Sequence, residues 1–348
     1  MKADQILKSK IRADLPADAF TNRPWRALFV FPLVGLIVFC SITLVRIPLP
    51  WYLAVIGSLF LGSLYGSLMF LGHEIAHGAT VRSQRLQDWL LYPAFAIFCL
   101  SPHLWRIWHQ QVHHPYANME GHDPDNFGTM SDYKLGQPTR ADVLWLKFAP
   151  GSGHWLSATY LFLFFTLQAQ GVLWLKSRGR ADFKQLKRGR AMLDSAVLAA
   201  FWLLVCVESG PRGAVLVVLL PMLIANFVVM SYIVTNHLMR PLTHERDTLG
   251  TTMSVTTPKL VDRLHFHFSH HVEHHLFPNM CSHYYPLVRQ SLRRHAADRY
   301  LAPPHWLALR VLFRTPRVYD GPRTLVTLDG GRRVEMATVE AWLRGIQA

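Results

Sequence analysis

The chain has 348 residues, 51% of them hydrophobic, and carries 36 Lys and Arg against 22 Asp and Glu for a formal charge of +14. Its apolar residues stand in blocks near the membrane-spanning length of about 20 residues, separated by stretches that hold nearly all the charge. That pattern excludes an ordinary soluble globule and a disordered chain, and predicts an all-α integral membrane protein with about four transmembrane helices, interfacial helices and a histidine-rich cytoplasmic domain.

Residues 1–26 mix Lys2, Lys8, Lys10 and Arg12 with Asp4, Asp14 and Asp18, which reads as a charged cytoplasmic segment rather than a cleavable leader. Residues 27–45 carry no charge and reach about 28 Å as a helix, close to the hydrocarbon thickness. After Pro48 and Pro50 a second run covers 51–72, with Gly62 and Gly66 at the interval that lets helices approach closely in lipid. The run 89–101 is too short to cross and reads as an interfacial or core helix. Three more follow at 155–175, 195–207 and 214–235. The loop between 176 and 190 holds seven basic residues and one acid, Asp182, so it should face the cytoplasm together with the amino terminus. If 27–45 with 51–72 and 195–207 with 214–235 each go out and back, 155–175 starts and ends inside and is expected to be re-entrant or interfacial. The membrane domain is placed at 27–290. The tail, 291–348, is expected to hold a β-hairpin around Asp329-Gly330 and a short amphipathic helix to Ile346. Four scattered cysteines show neither ligand spacing nor a disulfide framework.

Fourteen of the 19 histidines lie in two windows, 73–122 and 265–283, where an even spread would put about 4. His73 and His77, four apart at the end of the second run, share a helix face. His109 and His113 repeat that interval, and His114 points about 100° aside, toward a second metal. In the third group His271 and His274 share a face while His275 points aside. His237, where the last run leaves the bilayer, reads alone equally well as an interfacial residue, and beside the other eight as a ninth ligand. Neutral imidazoles at this density favour a two-metal centre, with Fe, Zn, Cu and Ni all suited to nitrogen ligands. Glu74 and Glu273 are candidates to hold ligand N–H groups from outside, and Asp123, Asn236 and His270 are further outer candidates.

These residues resemble the membrane fatty acid desaturase and hydroxylase superfamily, whose members carry three histidine boxes in this order. His73-Glu-Ile-Ala-His77 matches the HxxxH first box, and His271-Val-Glu-His274-His275-Leu276-Phe277-Pro278 is similar to the HxxHHLFP third box of acyl desaturases. The second box here is HxxxHH rather than HxxHH, a variant that occurs in bacterial desaturases and alkane hydroxylases, and Asn236-His237 resembles the extra ligand before the third box. The resemblance implies two non-haem Fe ions, held by His73, His77, His109, His113, His114, His237, His271, His274 and His275, that use O₂ and two electrons on an alkyl chain. It implies an acyl-lipid, acyl-CoA or acyl-carrier-protein substrate and a separate electron donor, a ferredoxin or cytochrome with its reductase. No nucleic-acid partner is expected. The expected location is a bacterial inner membrane, boxes on the cytoplasmic face.

Three alternatives remain open at this point. A hydroxylase of an alkyl, sphingolipid or carotenoid substrate would use the same ligands. His73-Glu74-Ile75-Ala76-His77 is also the HExxH pattern of zinc proteases, which leaves the later histidines unexplained. A metal transporter would place its ligands near the bilayer midplane, whereas these sit at or beyond span ends.

Overall fold

The apolar blocks form helices that stop where proline or glycine breaks the hydrogen-bond ladder. The computed structural model describes residues 2–123, 125–136 and 139–346, and over these the chain is an all-α membrane protein with one small sheet. The first span is Val30–Arg46, extended by a turn at Pro24–Ala27 into a 23-residue apolar stretch. Pro48 and Pro50 then reverse the chain into the second span, Trp51–Ala76. It runs one turn beyond the expected 51–72, because the added residues are buried among partners rather than left in water.

The third and fourth spans lie in the stretch Arg188–His237, which Gly210, at φ 67°, and Pro211 break in two. The Lys187 N–H donates to His103 Nε2 at one end of this pair. At the other, the Arg212 guanidinium donates to the carbonyls of Ile47 and Leu49, both at 3.4 Å. The chain therefore reverses there, and the two hairpins share their linker side. A Cβ on Gly62 would stand 2.6 Å from Ile224 Cβ, and one on Gly66 2.7 Å from Val228 Cγ1. The glycine interval thus serves close approach of the second and fourth spans.

Residues 84–116 make a bent helical pair, Gln84–Phe98 and Pro102–Tyr116, turned by 98° on the histidine side. The stretch Trp155–Lys176 is long and apolar enough to cross, yet both its ends are tied to that side. The Arg332 guanidinium donates to Gly151 O just before it, and Arg188 donates to Leu173 O near its end. Midway, the Thr166 N–H donates to Asn226 Oδ1 of the fourth span at 2.9 Å.

Both termini pack onto the histidine side. The N-terminal helix, Lys2–Asp14, buries Ile11 in one apolar cluster with Val288 and Leu292 of the helix Tyr285–His295. The helix His305–Arg314 lies on the fourth span. The expected hairpin is present as Thr324–Val326 antiparallel to Arg333–Glu335, and Val318–Tyr319 adds a third strand. The following helix is Met336–Leu343, short of Ile346. Arg240 pairs with Glu340 at 3.1 Å and Tyr319 OH donates to Arg240 O at 2.6 Å, so the tail caps the histidine domain.

Candidate metal centre

His73 and His77 project from the end of the second span, and His237 from the end of the fourth. His109, His113 and His114 lie on Arg106–His113 and its continuation, and His271, His274 and His275 on the helix His271–Leu276. The nine converge in two adjoining sets whose ring nitrogens lie within 4.8 Å of one another. His73, His77, His109, His114 and His274 form one; His113, His237, His271 and His275 form the other. In the first, His109 Nε2 stands 3.0 Å from that of His73 and 3.1 Å from that of His114. In the second, His237 Nε2 stands 3.2 Å from that of His113 and 2.7 Å from that of His271. Nitrogens about 2.1 Å from one ion and at right angles to each other are about 3 Å apart, so this spacing fits a metal ion in each set. Buried His77 Nε2, with no hydrogen-bond partner among the described residues, fits the same reading.

The division differs from the expected faces. His109 and His113 were expected to share one metal, but His109 joins His114 and His113 goes to the other set. Arg106–His113 has π-helical hydrogen bonding, and the His114 N–H donates to His109 O five residues back. That winding brings His114 round toward His109 while His113 stays near the same face, and the elements standing opposite draw His113 to the other set. In the third box His271 pairs with His275, their Nε2 atoms 3.1 Å apart, while His274 turns to His114 at 3.0 Å. Intervals of three and four are both neighbours on a helix, and the elements standing opposite select between them.

The outer partners also rearrange. Among the described residues Glu74 holds no imidazole: its carboxylate accepts two hydrogen bonds from Arg26, at 2.8 and 2.9 Å, and one from Ser282. Glu273 is fully buried and accepts from Arg289 at 2.9 Å, Tyr300 at 2.6 Å and Ser254. Among the described residues the imidazole it meets is that of His270, at 3.1 Å, which belongs to neither ligand set. Arg289 and His270 hold the Glu273 carboxyl well below the usual range against the opposing effect of burial. Asp123 lies 3.7 Å from His113 Nδ1. The Asn236 side chain is buried without a hydrogen-bond partner among the described residues, so it does not act there as an outer partner.

Two contacts were not foreseen. Asp125 Oδ2 stands 3.0 Å from His113 Nδ1, and its other oxygen accepts from Trp108 Nε1 and Gln168 Nε2. Its only signal in the sequence was its place two residues after Asp123. Tyr285 OH lies 3.1 Å from His274 Nδ1, and nothing in the local pattern announces it. Burial, aided by neighbouring imidazoles, holds His109, His114, His271, His274 and His275 well below the usual histidine range, so they are neutral and able to ligate. His113 is also buried, but Asp123 and Asp125 push it up to about 10.

The two sets have unlike surroundings. On one side is a tight cavity of about 40 Å³ walled by His73 and His271 with apolar Met69, Trp105, Phe165 and Phe268. On the other a polar cleft of about 430 Å³, bordered by Lys8 and Arg246, reaches His77, His114 and His275. Such an arrangement can hold two metals between an apolar pocket and a wet opening.

The model of the fatty acid desaturase family matches residues 49–307. The chain is 24% identical to the chloroplastic omega-6 fatty acid desaturase of Spinacia oleracea, covering 80% of this chain and 62% of that protein. It is 22% identical to the chloroplastic omega-6 fatty acid desaturase of Glycine max, over 80% of this chain and 66% of that one. It is 25% identical to the sn-1 acyl-lipid omega-3 desaturase (ferredoxin) of Synechocystis sp., over 78% of this chain and 76% of that protein. The chain thus spans less than two thirds of the length of the two plant relatives.

Proposed function

Since the chain belongs to the fatty acid desaturase family, we propose that it is a membrane-bound non-haem di-iron desaturase that introduces a double bond into an acyl chain. The balanced reaction is –CH₂–CH₂– + O₂ + 2 e⁻ + 2 H⁺ → –CH=CH– + 2 H₂O. The observation that carries this reading is the pair of adjoining imidazole sets facing an apolar cavity. His73, His77, His109, His114 and His274 would hold one ion, and His113, His237, His271 and His275 the other. Iron bound there would supply the oxidation of an unactivated C–H bond with O₂. The protein positions and shields. Met69, Trp105, Phe165 and Phe268 exclude water from the pocket that would receive the alkyl carbons. Tyr285 would orient His274 through its Nδ1, and Asp125 stands 3.0 Å from Nδ1 of His113.

The substrate would be an acyl-lipid, acyl-CoA or acyl-carrier protein. Electrons would come from a separate carrier, and ferredoxin is favoured by the name of the Synechocystis relative. The histidine side would face the cytoplasm of a bacterial inner membrane. A zinc-protease role fits poorly: the Glu74 carboxylate, which would have to activate water, is committed to Arg26 and Ser282.

The test is expression in a host without desaturases, with gas chromatography of its lipids and iron analysis of the purified protein. New double bonds and two Fe per chain are expected. His274→Ala should lose iron and product together, whereas His244→Ala, in an exposed loop, should keep both. Only hydroxylated chains, or an unchanged lipid profile at full iron loading, would refute the desaturase reading.

A further inference from the structure

The cavity between the metal sets is too small for an alkyl chain, so a substrate must reach it by displacing something, and the wall is thin in one direction. A second cavity, an apolar groove of about 280 Å³, lies between the fourth span, the segment 256–265 and the helix His305–Arg314. Ser231 and Tyr232 line it from the span, Val261 and His265 from the segment, and Trp306 and Leu309 from the helix. Its surroundings are apolar and open: Trp306 is 66% exposed, and Leu260 and Leu264, one turn apart on the helix Lys259–Leu264, are 69% and 54% exposed. Large exposed apolar side chains beside Lys259 and Arg263 at the end of a span are the pattern of a segment lying in the membrane interface.

Two layers of rings part the groove from the metal cavity, Tyr232 and His265 on the groove side and Phe268 on the cavity side. The Tyr232 hydroxyl is hydrogen-bonded to His265 Nδ1 at 2.9 Å, and both rings pack edge-on against Phe70, at 5.5 and 5.3 Å. Phe268 stacks on Phe70 at 4.2 Å, and it also lines the metal cavity, 5.0 Å from the ring of His73 and 5.7 Å from that of His271. The chain reaches Phe268 through two successive non-glycine residues in the left-handed region, Phe266 at φ 50° and His267 at φ 58°. Such a pair costs free energy and persists where the surroundings hold it, a frequent property of segments that move in function.

Resting on the desaturase reading, we propose that this groove is the portal by which the acyl chain of a bilayer lipid reaches the metal centre sideways, with Phe268 and the Tyr232–His265 pair in front of it as the gate that opens to join groove and cavity. The occupant follows from position and chemistry: the groove is apolar, it lies at membrane-interface level, and the rings of Tyr232, His265, Phe70 and Phe268 divide it from the cavity. The polar cleft on the opposite side, bordered by Lys8 and Arg246, offers an alkyl chain no comparable lining.

The test uses the full chain, loaded with iron, in phosphatidylcholine vesicles with an electron donor. Leu309→Trp and Val261→Trp, alone and together, fill the groove from two walls without touching a metal-set histidine. The double variant is expected to form unsaturated lipid at least 10-fold more slowly with iron content unchanged, while Leu203→Trp, on the exposed face of the third span, keeps the parent rate. As a second measurement on the unaltered protein, a phosphatidylcholine bearing a mid-chain diazirine should cross-link to peptides holding Tyr232 and Leu309. An unimpaired, iron-loaded double variant, or cross-links at Lys8 and Asn279 of the polar cleft in place of those peptides, would overturn the portal. Absence of product from the parent protein would instead overturn the desaturase reading.

Discussion

Glu74 sits inside the first histidine motif, yet it faces away from the metal sets and into a buried bidentate pair with Arg26, whose side chain is 8% exposed against 4% for Glu74. Removing one partner strands the other charge, which typically costs about 3–5 kcal/mol, whereas exchanging both for apolar side chains of similar volume is often close to neutral. Glu74→Leu and Arg26→Met should therefore each destabilise the protein by about 3–5 kcal/mol, and the double variant by clearly less than either. At about 2 °C per kcal/mol for a large domain, each single change lowers the unfolding midpoint by about 6–10 °C. The assay is fluorescence-monitored melting in one detergent, with the iron content of each preparation measured alongside. The singles should also retain less iron, because the same clamp anchors the turn that carries His73 and His77. Additive losses, or single variants that melt like the parent, would refute the clamp. A Glu74→Gln protein with full stability and iron but no activity would show that the carboxylate takes part in the chemistry itself.

Tyr285→Phe removes the hydroxyl that meets His274 Nδ1 and should weaken iron retention by about 10–100-fold, read as faster loss to a chelator with the melting curve little changed; unaltered loss would refute it. The Asp14 carboxyl is held below its usual value by the Ser291 hydroxyl first and then by His295 and Arg294, which dock the N-terminal helix onto Tyr285–His295. Its pKa is depressed on folding, so the contribution is present in full above the unfolded value, about 3.9, and is lost as pH falls through the lower folded value. Hydrogen exchange in Lys2–Asp14 should therefore quicken relative to the spans below about pH 4, and Asp14→Asn should show the quicker exchange already at pH 7.

The spans were legible in the sequence because lipid imposes a length and an apolar content that few other structures need. The positions of the nine histidines were legible for a related reason: intervals of three and four on a helix bring side chains together whatever the tertiary context. Their allocation between two sets was not. It depends on which elements stand opposite each helix and, for His114, on the π winding of residues 106–113, which no residue in Arg-Ile-Trp-His-Gln-Gln-Val-His announces. The same limit hid Tyr285 and Arg26, which approach His274 and Glu74 only after helices distant in sequence have packed. The break at Gly210 was half legible: glycine and proline mark a turn, but only the contact of Arg212 with Ile47 and Leu49 shows that the chain returns there.

The π-helical segment also accounts for how two sets can stand side by side at all. An α-helical His109-x-x-x-His113 would aim both rings at one centre and leave His114 turned away. With hydrogen bonds from residue 114 to 109, His109 and His114 close the first set while His113, one residue earlier and on the neighbouring face, reaches His237 at 3.2 Å. One segment thereby serves both sets from a single wall, and the Nδ1 of His113 is left facing Asp125. The widened turn is backed by the Trp105 ring, stacked 4.3 Å from that of His109, and by Trp108, whose indole N–H donates to Asp125 at 3.0 Å.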